Sequence, residues 1–254
     1  MYTRRIFGVI AFVSLTFAAA PAQDLTLDEI LKKNADALGG AEAISKVQTI
    51  KMTAKMVMGG GQMEAPMIVQ AKRPNLVRTE IQMQGKSMIM AYDGTNAWMI
   101  NPFTGSSEPQ KMDEKMASNL DSSDVDSQIG WLSGMKAAGH TVELLGKEDV
   151  EGSPAYKLKI TRKTGMIVTE FLDAQTFLPI KSIAKVSQMG QEMEMEGYSS
   201  NYKKVGGIMF AHSVDEKSGG RSVIQISVEK IEINEPMDDS LFKTPAAEKP
   251  VEKK

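Results

Sequence analysis

Apolar and polar residues alternate along most of this chain, and the places where the alternation fails divide it into parts. Leu27, Ile30, Leu31, Ala35 and Leu38 recur at helical spacing. Thr26 and Glu29 supply a capping-box pattern ahead of them, and Gly39-Gly40 supplies a stop. A short turn over 41–46 leads on. From Val47 the period becomes two. Ile50, Met52, Ala54, Met56 and Met58 alternate with Lys51, Thr53 and Lys55, and a triple-glycine turn follows. Met63, Ala65, Met67, Val69 and Ala71 form the next apolar set, with Pro66 pointing to an edge or a bulge. Val77, Thr79, Ile81 and Met83 continue the pattern. Asp93-Gly94 then predicts a hairpin between 86–92 and 96–101.

The alternation stops after Asn101. Met112, Met116 and Leu120 stand four apart, and Ile129, Leu132 and Met135 three apart, which predicts one or two short amphipathic helices ended by Gly139. Gly130 and Gly134 weaken the second of these, since a glycine inside a helix costs about 1 kcal/mol against alanine. Packing alone should therefore hold the insert weakly, as in a lid. Strands resume at Thr141 and are expected over 142–145, 155–162, 166–173, 179–186, 192–202, 208–215 and 222–233. Their connections are too short for parallel crossovers.

The expected fold is mainly β (α+β): a curved antiparallel half-barrel of about eleven strands, covered by the N-terminal and mid-chain helices. One apolar face per strand has to be covered, by curling into a barrel or by a helical plug.

Residues 1–22 read as a secretory leader. Arg4 and Arg5 precede an apolar run from Ile6 to Ala20, and Ala20-Pro21-Ala22 is a small-x-small cleavage site, so cleavage is expected after Ala22. Such a leader points to the periplasm or the cell exterior. One domain over 23–244 and a disordered tail over 245–254 complete the expected organisation. The net charge of −2 excludes the usual electrostatics of nucleic-acid binding. With no cysteine and two histidines, thiol chemistry, thiolate metal sites and a histidine cage are excluded or disfavoured, and no cofactor is expected. No nucleotide loop, metalloprotease helix or nucleophile elbow is present, so the chain reads as a binding protein and not an enzyme.

The nineteen methionines change the picture most. Strand parity puts Met52, Met56 and Met58 on one face, and the Asp93-Gly94 hairpin puts Met88, Met90 and Met99 on one face. Methionine is flexible and polarizable and suits surfaces that fit varied apolar ligands, although an ordinary core has the same pattern. Trp131, Leu132 and Met135, in the insert, complete the candidate ligand-binding set as part of a lid. Trp98 faces away from Met90 and reads as a structural anchor. Lys51, Lys55, Lys72, Arg73 and Arg78 form a basic group, read as a solvated strand face or a steering patch.

The order of leader, helix, paired strands, "AYDGTNAWMINP", helical insert, "AYKLKIT", "TEFLDAQTFLPIKS", "YKKVGGIMFAHSV" and "IEINEPMDDSLFKTP" resembles the LolA/LolB-like superfamily of outer-membrane lipoprotein-sorting proteins, over about residues 27–245. The resemblance implies an unclosed half-barrel with an apolar cavity that takes acyl chains of lipoproteins or other lipids in the periplasm. It also implies membrane-associated donor or acceptor proteins as partners, and no nucleic acid. The alternative on the same fold is a non-catalytic envelope sensor or protein-interaction domain.

Overall fold

The structure, a computed structural model, describes residues 24–105, 107–121, 124–188 and 191–245. The expected leader and the tail beyond residue 245 lie outside the described residues. The chain opens with α1 (Leu27–Leu38) and α2 (Ala41–Ser45). Thr26 Oγ1 accepts from the Glu29 amide and the Glu29 carboxylate accepts from the Thr26 amide, so the capping box is formed.

Five strands follow as a meander: β1 (Thr49–Met58), β2 (Met63–Lys72), β3 (Leu76–Met83), β4 (Lys86–Tyr92) and β5 (Ala97–Ile100), with the short β6 (Gln110–Lys111) after them. Three helices interrupt the sheet: α3 (Glu114–Asp121), α4 (Val125–Ile129) and α5 (Leu132–Ala137). A second meander comprises β7 (Thr141–Val150), β8 (Ser153–Thr161), β9 (Ile167–Asp173), β10 (Pro179–Gln188) and β11 (Gln191–Ser200). The small hairpin β12 (Lys203–Val205) and β13 (Ile208–Phe210) precedes β14 (Ser213–Ser218) and β15 (Arg221–Ile233).

Thirteen of these strands form one antiparallel sheet, in the order β6-β5-β4-β3-β2-β1-β15-β14-β11-β10-β9-β8-β7. It is an open half-barrel, because β6 and β7 stand at opposite ends of that order and do not pair. The last strand, β15, joins the two meanders by pairing with β1 on one side and β14 on the other.

Counted across the described residues there are fifteen strands where about eleven were expected. The expected strand over 208–215 is broken at Ala211 and His212, and β6 and β12 are too short to give a period. The insert holds three helices, not one or two. Pro66 lies inside β2 but beyond the β2–β3 ladder, which starts at Met67, so its missing N–H interrupts no pairing there.

Helices and sheet enclose the core on the concave side. Ile30 and Leu31 of α1 and Leu132 and Met135 of α5 pack on Val142, Leu158, Ile160 and Leu172. Leu38, Val125 and Ile129 pack on Ile50, Met52, Val69 and Phe210. Asn34 of α1 is fully buried and links the layers: its Oδ1 accepts from the Leu132 amide at 3.3 Å and its Nδ2 donates to the Phe177 carbonyl at 3.1 Å. Trp98 faces the opposite side, as parity required. Its Nε1 donates to the Phe242 carbonyl at 2.7 Å, which anchors the C-terminal segment.

Candidate ligand cavity

Strand pairing assembles the cavity row by row. On the concave face Ala54 pairs with Met67 and Val228, and Met67 pairs with Ile81. In the second meander, Val168, Ala184 and Met195 form one cross-strand row, through the pairs Val168–Ala184 and Ala184–Met195. Ile226 and Val214 continue the face towards β1. Gln128, Ile129 and Gly130 of the α4 end and Met135 of α5 cover these rows. A cavity of about 460 Å³ remains between the two layers, within the usual size range of small-ligand sites.

Gly130 sets how closely α4 approaches the sheet. It ends α4 in a left-handed conformation, φ 80°, and a Cβ there would lie 2.7 Å from Pro179 Cγ. Only glycine combines that φ with that approach. The helical layer is clipped on beside it: Arg73 Nη2 pairs with the Asp126 carboxylate, Arg73 Nε donates to the Val47 carbonyl at 2.7 Å, and the guanidinium lies 5.9 Å from the Trp131 ring centre.

The cavity wall is not wholly apolar. Arg162, Glu170, Ser182, Tyr202 and Glu216 contribute to it. Arg162 is buried; its Nη2 donates to Ser127 Oγ at 2.8 Å, and its Nη1 lies 3.8 Å from Asp124 Oδ2. Tyr202 donates to the Pro179 carbonyl at 2.7 Å, and burial pushes its phenol up. Burial likewise pushes the Glu170 carboxyl up to about 8, opposed by the Arg162 charge. Glu170 is half-buried, on the wall of the cavity. Glu216 is raised by burial, with Asp215 adding to it.

No protein-family model matches the chain, and no curated protein matches it in sequence. Solved structures do match. A domain from Vibrio parahaemolyticus, assigned by name to outer membrane lipoprotein sorting, superposes with a TM-score of 0.57 at 13% identity, over 84% of this chain and 94% of its own. A LolA superfamily protein from Nitrosomonas europaea gives 0.58 at 15% identity, over 87% and 98%. A DUF1329 family protein from Desulfovibrio piger gives 0.59 at 13%, over 85% and 97%. The fold is LolA-like.

Within this LolA-like half-barrel, Met52 and Met135 line the cavity. The other seven candidates lie elsewhere. Met56, Met58, Met88 and Met90 pack with Ile81 and Ala65 in a methionine-rich cluster next to the cavity, joined to its wall through Met67 and Ile226. Met90 and Met99 are direct partners across the β4–β5 hairpin and pack under Met112, Met116 and Leu120 of the α3 region. Leu132 is fully buried among α1 and β7–β9, and Trp131 packs on the core beside Met52 and Ile129. Leu132 thus lies in the core, and half-buried Trp131 packs at its edge.

Four of the five residues of the basic group are paired with acids: Lys55 with Glu64, Lys72 with Asp239, Arg73 with Asp126 and Arg78 with Glu80. Arg162, Glu170, Ser182, Tyr202 and Glu216 were not singled out from the sequence. A signal existed: Arg162 shares strand parity with Leu158 and Ile160, and Glu170 with Val168 and Leu172, so charges occupy positions where the pattern calls for apolar residues.

Proposed function

We propose that this protein binds acyl chains in the periplasm and handles or carries the lipid moiety of lipoproteins towards the outer membrane, without a catalytic role. The observation that carries the reading is the cavity of about 460 Å³ between an open sheet and short covering helices, lined largely by aliphatic and methionine side chains. Each buried methylene contributes about 0.8 kcal/mol, so a chain running from this cavity along the adjoining methionines binds without any covalent step. Release requires the cover to move, and helices of five and six residues depend on their contacts for stability. The lipoprotein-sorting name of one structural neighbour supports the finer part of the reading.

The test fills the cavity. Ala184 lies on its wall, whereas the adjacent Lys185 is exposed. Ala184→Trp is expected to weaken binding of a fluorescent fatty-acyl probe at least tenfold while circular dichroism stays that of a folded β protein. Lys185→Trp should bind as wild type does. A folded Ala184→Trp variant with unchanged affinity would remove this cavity as the acyl site. A wild-type protein that binds no probe and carries no lipid in native mass spectrometry would favour a protein-interaction role instead.

A further inference from the structure

Three strands of the second meander and β14 carry an unusual concave row. Glu170 of β9 pairs with Ser182 of β10, Ser182 with Gly197 of β11, and Gly197 with Glu216 of β14. All four residues line the cavity. Gly197 leaves a gap in the row that its neighbours lean over: a Cβ there would lie 3.0 Å from Ser182 Oγ and 3.1 Å from Glu216 Oε1. Glu170 and Glu216 are three strand spacings apart, roughly 14 Å. The neighbouring rows are mostly apolar, with Val168, Ala184 and Met195 on one side and Val214 and Ile226 on the other.

Among the described residues, neither glutamate makes a hydrogen bond to protein. Both are half-buried on the cavity wall, and a carboxyl without a protein partner there calls for a ligand or water to satisfy it. The charged and titratable groups around the row are few. Arg162, with Asp124 behind it, and Tyr202 face Glu170; Asp215 adjoins Glu216. Arg162 donates to Ser127 and has the Asp124 carboxylate 3.8 Å from its Nη1, so an incoming anion meets two carboxyl groups and a cation with a carboxylate already beside it. Burial favours the protonated form of both carboxyls, and a protonated carboxyl offers an O–H to a carbonyl and a C=O to a hydroxyl.

We propose that the Glu170–Ser182–Gly197–Glu216 row is the headgroup site of the cavity, and that it selects amphiphiles with an uncharged polar end bearing hydroxyl and ester or amide oxygens over fatty-acid anions. This rests on the acyl-chain reading above and adds what sits at the polar end of the chain. Ser182 supplies a further donor and acceptor, and Gly197 supplies the room.

The test compares a 1-monoacylglycerol, a fatty-acid anion and an alkylammonium of equal chain length as competitors of a fluorescent acyl probe on the full exported protein at neutral pH. The monoacylglycerol is expected to compete at least tenfold more tightly than the fatty acid. Glu170→Gln keeps a donor and an acceptor and should retain that preference. The Glu170→Leu, Glu216→Leu double variant should bind the probe but narrow the preference below threefold. A wild type that prefers the fatty acid or the alkylammonium overturns the proposal, as does a folded double variant that keeps the tenfold ratio. If the double variant does not fold, the wild-type ranking with Glu170→Gln decides. Failure of the headgroup ranking alone leaves the acyl-chain reading standing; failure of every competitor and of the probe removes both.

Discussion

A proton held by Glu170 makes stability depend on pH over an unusual range. In the unfolded chain this carboxyl titrates at its ordinary value near 4.5, and in the folded protein at about 8. Between those values the folded protein keeps a proton that the unfolded chain has released, so stability falls as pH rises. The slope for one such group is at most about 1.4 kcal/mol per pH unit. Glu216, raised by burial and Asp215, adds in the same direction. Acids with lowered pKa, such as Glu196 beside Lys181, lose their stabilising effect below about pH 4.5 and leave this window unaffected. The urea midpoint of wild type should therefore decline from about pH 5 to 8, and Glu170→Gln should flatten the decline; equal declines would assign it to another group. At this scale the sequence was half legible. Strand parity put Met88, Met90 and Met99 together correctly, but it could not separate a methionine that packs on α3 from one that lines open space. That distinction depends on where the helices land, and no local pattern encodes it.

Helices α4 and α5, at five and six residues, are shorter than an isolated helix can sustain, so their order is a property of their contacts. Arg73 is the chief external clip. Arg73→Ala leaves Asp126 without its cation and removes the bond to the Val47 carbonyl, and should lower stability by about 2 kcal/mol in urea unfolding. Arg73→Lys should restore little of it, since a lysine cannot serve both partners with one planar fork. Gly130→Ala should act differently: its Cβ meets Pro179 at a φ that alanine adopts only under strain, so the α4 end is displaced from β10. We expect a loss of about 1–3 kcal/mol together with altered probe binding, read by unfolding and by fluorescence titration. The two glycines that lowered helix propensity in the sequence thus have packing reasons, tertiary at Gly130 against Pro179 and local at Gly134, where a Cβ would lie 2.3 Å from the Trp131 ring three residues earlier. The spacing of Met112, Met116 and Leu120 made the insert visible. The break into three helices was not visible, because caps such as Asp124 and Gly130 act through single bonds and angles.

For the molecule as a whole, alternation was enough to place most strands, and the order of short segments was enough to indicate an open half-barrel. What alternation does not carry is partnership across distance. Nothing near Ile50 or Ile231 says that β1 and β15 are neighbours, and any strand with one apolar face could satisfy another. The pairing is nonetheless regular from Ile50 with Ile233 to Met58 with Ile224, apart from one irregularity at Thr53 and Ala54. A chain ending at Ser218 should therefore lose the strand that joins the meanders. We expect it to lack the cooperative unfolding transition of the full chain by circular dichroism, with faster amide exchange in both meanders; an intact transition would show that they hold together through the helices.

The position of β15 also fixes an order of events. The sheet is completed at its middle by the last of the described strands to be made, so an emerging chain has two unjoined halves until residues 221–233 are available. Closing that longest of loops is entropically the costliest pairing in the molecule and the slowest to occur. A chain built this way cannot close its sheet before its last strand exists, so the joined half-barrel, unlike the hairpins of either meander, is available only to the full chain.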